Sequence, residues 1–181
     1  MRAIEPTKNS FLVVICSIMG IGEGIHQERR SMDSIDLKIL TALQRDGRLT
    51  HQQLSEQVGL SPTPCARRIK RLETDGIITG YGARINAAKL GFDVSVFVSV
   101  RLDQQVDDRL RHFESNVRVF PEVVDCWLMT GTFDYLLRVV VRDLHEFEHF
   151  LTGKLTKLPG VASLESSIPI RRVKDEATRI A

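Results

Sequence analysis

The sequence predicts an α+β chain built in two parts, three helices followed by a βαββαβ unit, and three observations carry that prediction. Between residues 34 and 74 apolar side chains recur at helical spacing, and each run ends at a glycine stop. From Val94 the period changes to the alternation of strands, beginning with VSVFVSVRL. The segments that follow run strand, helix, strand, strand, helix, strand, the split-βαβ or ferredoxin-like order in which two helices cover one face of a four-stranded antiparallel sheet.

The first helix is expected between Ser34 and Asp46, where Ile35, Ile39, Leu40 and Leu43 form one stripe and Asp46-Gly47 ends it. Thr50 stands three residues before Gln53, the spacing at which hydroxyl and amide satisfy each other's orphan donors at a helix start. Leu54 and Val58 give this short second helix its buried side, and Gly59 suits the left-handed residue that closes it. Ser61-Pro62 is a cap followed by proline at the first helical position, so a third helix runs to about Thr74 and stops at Asp75-Gly76. IITGYGARI then reads as a short strand interrupted by Gly80 and Gly82, and the three-helix unit as a winged-type helix-turn-helix. A linker through Ala87 to Phe92 follows.

In the second part, strands are expected at 94–102, 122–129 and 134–141, and helices at 106–120 and 144–158. Residues 161–173 read as extended. The strand at 94–102 places Val94, Val96, Val98 and Val100 on one face but Phe97 on the other, and the strand at 134–141 is apolar nearly throughout. One helical layer cannot bury both faces of such a sheet, so a second copy of the chain is expected to cover the other. The implied organisation is an extension at 1–31, disordered or a product of start-codon choice, helices at 32–81, a linker at 82–93, the sheet unit at 94–174 and a tail at 175–181.

Composition bounds the function classes. Hydrophobic residues make up 43% and charged residues 27% of 181, an ordinary globular mixture rather than a disordered or fibrous one. The net charge of +2 is unevenly spread. Residues 32–90 carry nine Lys/Arg against six Asp/Glu, whereas residues 91–181 carry twelve against fourteen. A mildly basic part joined to a mildly acidic one fits a nucleic-acid reader coupled to a unit that does not touch nucleic acid. Cys16, Cys65 and Cys126 show no C-x-x-C spacing, so neither a disulfide framework nor a cysteine zinc site is legible, and a reducing cytoplasm is expected. The apolar run Phe11 to Ile21 resembles an export signal but is too short to span a bilayer, and no membrane partner is expected.

The third helix points to DNA. At 100° per residue Cys65, Ile69 and Leu72 fall on the inward side, while Thr63, Arg67, Lys70 and Arg71 fall on the outward one. In a major groove Arg can bond both acceptors of guanine and Thr can meet a thymine methyl, while other basic residues neutralise phosphates. The Ser61-Pro62 start is expected to offer backbone donors to a phosphate. Ser61, Thr63, Arg67, Arg68, Lys70 and Arg71 are therefore the candidate DNA contacts.

The stretch from Met32 to Phe92 resembles the DNA-binding half of the Lrp/AsnC family of transcription regulators, through IDLKILTALQRDGR, VGLSPTPC and RLETDGIITGY. The cysteine form of the second motif looks most like the leucine-responsive branch. The resemblance extends over about 32–174. TGTFDYLLRVVV, residues 130–141, is similar to the family's effector-domain signature, in which Gly and Asp flank a turn between two strands. It implies a sequence-specific DNA-binding regulator that responds to an amino acid or related metabolite and is not an enzyme. It also implies a homodimer assembling to a tetramer or octamer on double-stranded DNA, and no cofactor.

The resemblance implies effector contacts from Thr130, Gly131 and Asp134, with Ser166 and Ser167 reaching across from a neighbouring subunit. Two roles stand open for Asp134: an anionic acceptor for an ammonium at the loop mouth, or a turn residue that bonds only backbone. Trp127, on a strand, reads as core or interface packing.

Two rival readings fail on the same residues. His145-Glu146-Phe147-Glu148-His149 matches the zinc-protease H-E-x-x-H pattern. On its helix, however, Leu144, Phe147, Leu151, Leu155 and Leu158 form the expected inward stripe and both histidines lie toward solvent, away from the protected site that catalytic zinc needs. No downstream ligand motif completes a site, though Glu165 is available, so no metal centre is expected. An RNA-recognition motif shares the βαββαβ order but needs a K/R-G-F/Y-G/A-F-type segment, which is missing.

Overall fold

The computed structural model describes residues 32–174 and Ile180, so the expected extension at 1–31 and all of the expected tail except Ile180 lie outside the described residues. The chain divides into two compact units between Gly80 and Tyr81, each with its own core.

The first unit holds α1 (Ser34–Arg45), α2 (His51–Val58) and α3 (Pro62–Thr74). Asp33 caps α1 by accepting from the backbone of Ile35 and Asp36, and Asp36 returns the bond to Asp33. The reciprocal box expected for α2 is present: Gln53 N–H donates to the Thr50 hydroxyl at 3.2 Å, and Thr50 N–H donates to the Gln53 amide at 2.9 Å. Gly59 closes α2 at φ 73°, a left-handed backbone that a side chain disfavours, and turns the chain sharply into α3. Ile39, Leu54, Cys65, Ile69 and Leu72 converge in the core.

The short strand expected at IITGYGARI does not form, and residues 77–86 carry no regular structure. After α3 the backbone N–H groups of Ile77 and Ile78 both return to Leu72 O, at 2.9 and 3.0 Å, and Ile78 packs on the helical core. Among the described residues no strand faces this run, and an unpaired strand in water does not hold together. A 3-10 turn at Ala87–Leu90 stands in the linker.

The second unit is the expected βαββαβ: β1 (Val94–Leu102), α4 (Asp107–Val117), β2 (Val123–Leu128), β3 (Tyr135–Val141), α5 (Leu144–Gly153) and β4 (Val161–Ser167). The strands order as β2-β3-β1-β4, all pairs antiparallel. Both helices are shorter than expected. Pro121 biases Phe120 away from helical backbone, and α5 gives way after Gly153 to a 3-10 turn, Leu155–Lys157. The extended run after Val161 pairs only as far as Ser167, and Pro169 lacks the donor a ladder needs. Val96, Val98, Val100 and Leu102 of β1 and Tyr135, Leu137, Val139 and Val141 of β3 face Phe113, Val117, Phe150 and Leu155 in one core.

On the opposite face, alternation and register place Phe97, Leu136, Val140 and Trp127. Trp127 remains 43% exposed, and the other three are half-buried.

Candidate DNA interface and effector site

The helix α3 owes its orientation to a carboxylate that the sequence reading passed over. Asp36 is 1% exposed. Its Oδ1 accepts from Arg68 at 2.8 Å, and its Oδ2 accepts from Arg71 and from the Asp33 N–H. Arg68 also reaches Asp33 at 2.7 Å. A buried carboxylate is tolerable only when so many charged donors compensate it, and here the compensation ties α3 to α1. The signal was legible: Asp36, Ile39, Leu40 and Leu43 stand at i, i+3, i+4 and i+7, so one acid occupies the apolar stripe of α1.

This network divides the six candidate DNA contacts. Arg68, expected to meet DNA, spans Asp33 and Asp36 instead, and its side chain is only 25% exposed. Arg71 is partly turned inward to Asp36, not wholly outward as expected. Thr63, Arg67 and Lys70 are exposed, and among the described residues no ion pair is recorded for Arg67 or Lys70. Ser61 is the N-cap, and its hydroxyl makes no capping bond to the helix. The expected array of helix-start donors is thinner than it looked. Pro62 and Pro64 have no N–H, and the Cys65 N–H returns to Ser61 O, which leaves the Thr63 N–H and the Ser61 hydroxyl at that end.

In the second unit the β2–β3 connection runs from Met129 to Asp134. It closes through the Met129 N–H donating to Asp134 O at 2.8 Å. Gly131 sits at φ 127°, where any side chain is strained. Thr130 and Gly131 are exposed.

Asp134 is not at the loop mouth. It is 5% exposed, its Oδ2 accepts from the Leu102 N–H at 2.7 Å, and its Oδ1 accepts from the Gln105 amide at 2.6 Å. Its own N–H donates to Val100 O. Its bonds reach across to the far end of β1 rather than staying within the turn, so the carboxylate staples the loop to the neighbouring strand. Neither the free ammonium acceptor nor the purely local turn residue describes it.

Beside it, the buried Tyr135 hydroxyl donates to Glu114 of α4 at 3.0 Å, and burial together with that bond pushes the hydroxyl's pKa upward. Desolvation, with the Glu114 charge adding to it, pushes the Cys126 thiol up to about 11, so it is no reactive thiolate near neutral pH.

Ser166 and Ser167 pair with Val98 and Phe97 on the far side of β1 from β3. At ordinary strand spacing β4 lies about 10 Å across the sheet from β3, and the register sets both serines further along the strands from the loop that precedes Tyr135, so one chain does not bring the two halves of the expected effector site together.

Residues 95–178 match the family model described as the Lrp/AsnC ligand binding domain, and residues 32–79 match that of a winged helix-turn-helix DNA-binding unit. The chain is 49% identical over 142 residues to the Bkd operon transcriptional regulator of Pseudomonas aeruginosa, covering 78% of this chain and 93% of that one. It is 41% identical over 147 residues to a leucine-responsive regulatory protein of Rhizobium meliloti, covering 81% and 94%. Among solved structures, a transcriptional regulator of Neisseria meningitidis in complex with L-Met superposes with a TM-score of 0.77 at 38% identity, over 81% of this chain and 94% of that one. AsnC of Escherichia coli does so with a TM-score of 0.75 at 25% identity, over 82% and 98%.

Proposed function

The chain belongs to the Lrp/AsnC family of DNA-binding, ligand-binding transcription regulators, and from that premise we propose that α3 reads the major groove through Thr63, Arg67 and Lys70 while Arg68 and Arg71 hold the helix in place. The observation that carries the reading is the division of the basic residues of α3 between exposed side chains and those bonded to Asp36. A guanidinium already shared between two carboxylates would have to give up charge-assisted bonds to contact DNA, whereas Arg67 gives up none. Ser61 and the Thr63 N–H serve as phosphate contacts at the helix start.

The effector on this reading is an α-amino acid, a class supported by the L-Met bound to the Neisseria relative. Thr130 and Gly131 meet it from one chain and Ser166 and Ser167 from another, with Asp134 setting the loop rather than touching the ammonium. The uncovered sheet face packs against a second copy, and dimers build tetramers or octamers. The test is a gel shift on genomic fragments selected by the protein, run over a salt series. Arg67→Ala and Lys70→Ala should each weaken binding. A phosphate contact would reduce the salt slope by about one, whereas a base contact would relax preference at one position for about 1–3 kcal/mol. Binding unchanged in both variants would remove α3 from the groove.

A further inference from the structure

The H-E-x-x-H run on α5 is no peptidase centre, yet its two histidines are not idle in geometry. His145 and His149 are both exposed, one helical turn apart, and their Nε2 atoms approach to 3.1 Å with the rings nearly perpendicular at 82°. Two imidazole nitrogens each about 2.0–2.1 Å from a shared ion and separated by that distance would subtend about 100°, between the square and tetrahedral angles. The pair already has the bite of a chelate.

We propose that His145 and His149 form a surface site for a divalent transition cation of the imidazole-preferring kind, Ni²⁺, Zn²⁺ or Cu²⁺, with two protein ligands and the remaining positions open to water. Three features of the site support this. The residues lie at i and i+4 of a helix, so both rings leave the same face, one above the other, and the backbone fixes their spacing. Asp143 caps α5 through the Glu146 N–H at 2.7 Å, and Phe150 at the other end is buried in the core, so the turn that carries the rings is held at both ends. Glu146, the acid within the run, is already engaged by the Arg142 N–H at 2.7 Å, which removes it from the general-base role a peptidase would give it.

A hydrogen bond at this distance needs one ring to carry its hydrogen on Nε2 and the other to leave its Nε2 lone pair free. Binding moves that hydrogen to Nδ1, so both Nε2 lone pairs face the ion and the ring charges stay neutral. Among the described residues no group of three metal-ligating side chains exists, so the affinity is that of a two-ligand site and hard cations such as Mg²⁺ and Ca²⁺ are not held.

The test titrates the full chain, stripped of metal, with NiCl2 and ZnCl2 by calorimetry and by thermal shift. The expected result is one ion per chain at this site. His145→Gln and His149→Gln should each lower the affinity at least about tenfold, since even an outer partner of a metal ligand commonly contributes that much. The double variant should lose little more than either single one, because one imidazole is not a chelate. Gln keeps helix propensity at exposed positions, so the circular dichroism spectra should be unchanged. His112→Gln serves as the control that should bind as wild type does, and CaCl2 should give no shift. Equal Ni²⁺ and Zn²⁺ affinity in wild type and double variant would overturn the proposal and leave the contact as a hydrogen bond between two rings.

Discussion

At the scale of single residues, two aspartates show how the same side chain takes different work from its surroundings. Asp134, buried with both oxygens occupied, holds the β2–β3 loop onto β1. Asp134→Ala should strand the Leu102 N–H in the core, a loss of about 1–3 kcal/mol. The thermal midpoint of the sheet unit should therefore fall together with the effector response. Asp134→Asn keeps an acceptor for Leu102, and the Gln105 amide can turn over to accept from it, but the charge that strengthened both bonds is gone, so it should fall between wild type and Ala. Wild-type stability in Asp134→Ala, with only the effector response lost, would restore the direct ammonium contact. Asp33 lies at the surface, and its carboxyl sits below the ordinary 3.8 because it accepts first from the Asp36 backbone and then from Arg68. A folded value below the unfolded one means the stabilisation is present well above pH 4 and is lost as pH falls through the lowered folded value. Asp33→Asn keeps the cap acceptor without the charge. Its stability should match wild type more closely at pH 3 than at pH 7, a modest difference because the group is solvent-screened, and circular dichroism melts across that range would show it.

At the scale of elements, α3 carries the prediction that separates reading from positioning. Arg67→Ala should weaken DNA binding with an unchanged melting midpoint. Arg68→Ala should lower the midpoint, because it withdraws a cation from a buried carboxylate, and should weaken binding at every sequence alike by loosening the helix. The reverse pattern, a silent Arg67 and a stable but sequence-relaxed Arg68→Ala, would mean that Arg68 leaves Asp36 to enter the groove. The helices and strands themselves were legible because each rests on local chemistry: the Thr50–Gln53 box, Gly59 at its left-handed turn, and the period-2 run of β1. What escaped was what only tertiary pairing decides. The wheel gave Arg68 and Arg71 a direction but could not say that an acid on another helix would claim them, and the IITGYGARI segment has the residues of a strand without a facing one. The Asp134 signature was visible, but its partner Gln105 lies 29 residues away and nothing local marks the pair.

At the scale of the whole molecule, among the described residues the sheet unit has one face covered by α4 and α5 and one that is not. The uncovered face carries Phe97, Leu136, Val140 and Trp127, with Arg138 bonded to Asp125 at 2.6 Å among them. Each large apolar side chain moved fully out of water contributes about 1.5–3 kcal/mol; these four, already partly covered, gain a part of that each, and a two-fold interface uses every residue twice, so together they favour association. The flanking ion pair fixes which way a partner can sit, because an uncompensated charge buried against apolar surface is unfavourable. Phe97→Asp with Leu136→Asp would place four carboxylates in that two-fold contact while leaving the helix-covered core untouched. The double variant should sediment as a monomer, and wild type as the proposed dimer or larger assembly. Its near-native circular dichroism should persist, since both side chains face away from Val98 and Leu137. Its affinity for an operator with two half-sites should fall to that for one, because the second recognition helix is no longer tethered at high effective concentration. A double variant that still sediments with wild type would mean that another surface holds the copies together, and this face would then need a different occupant.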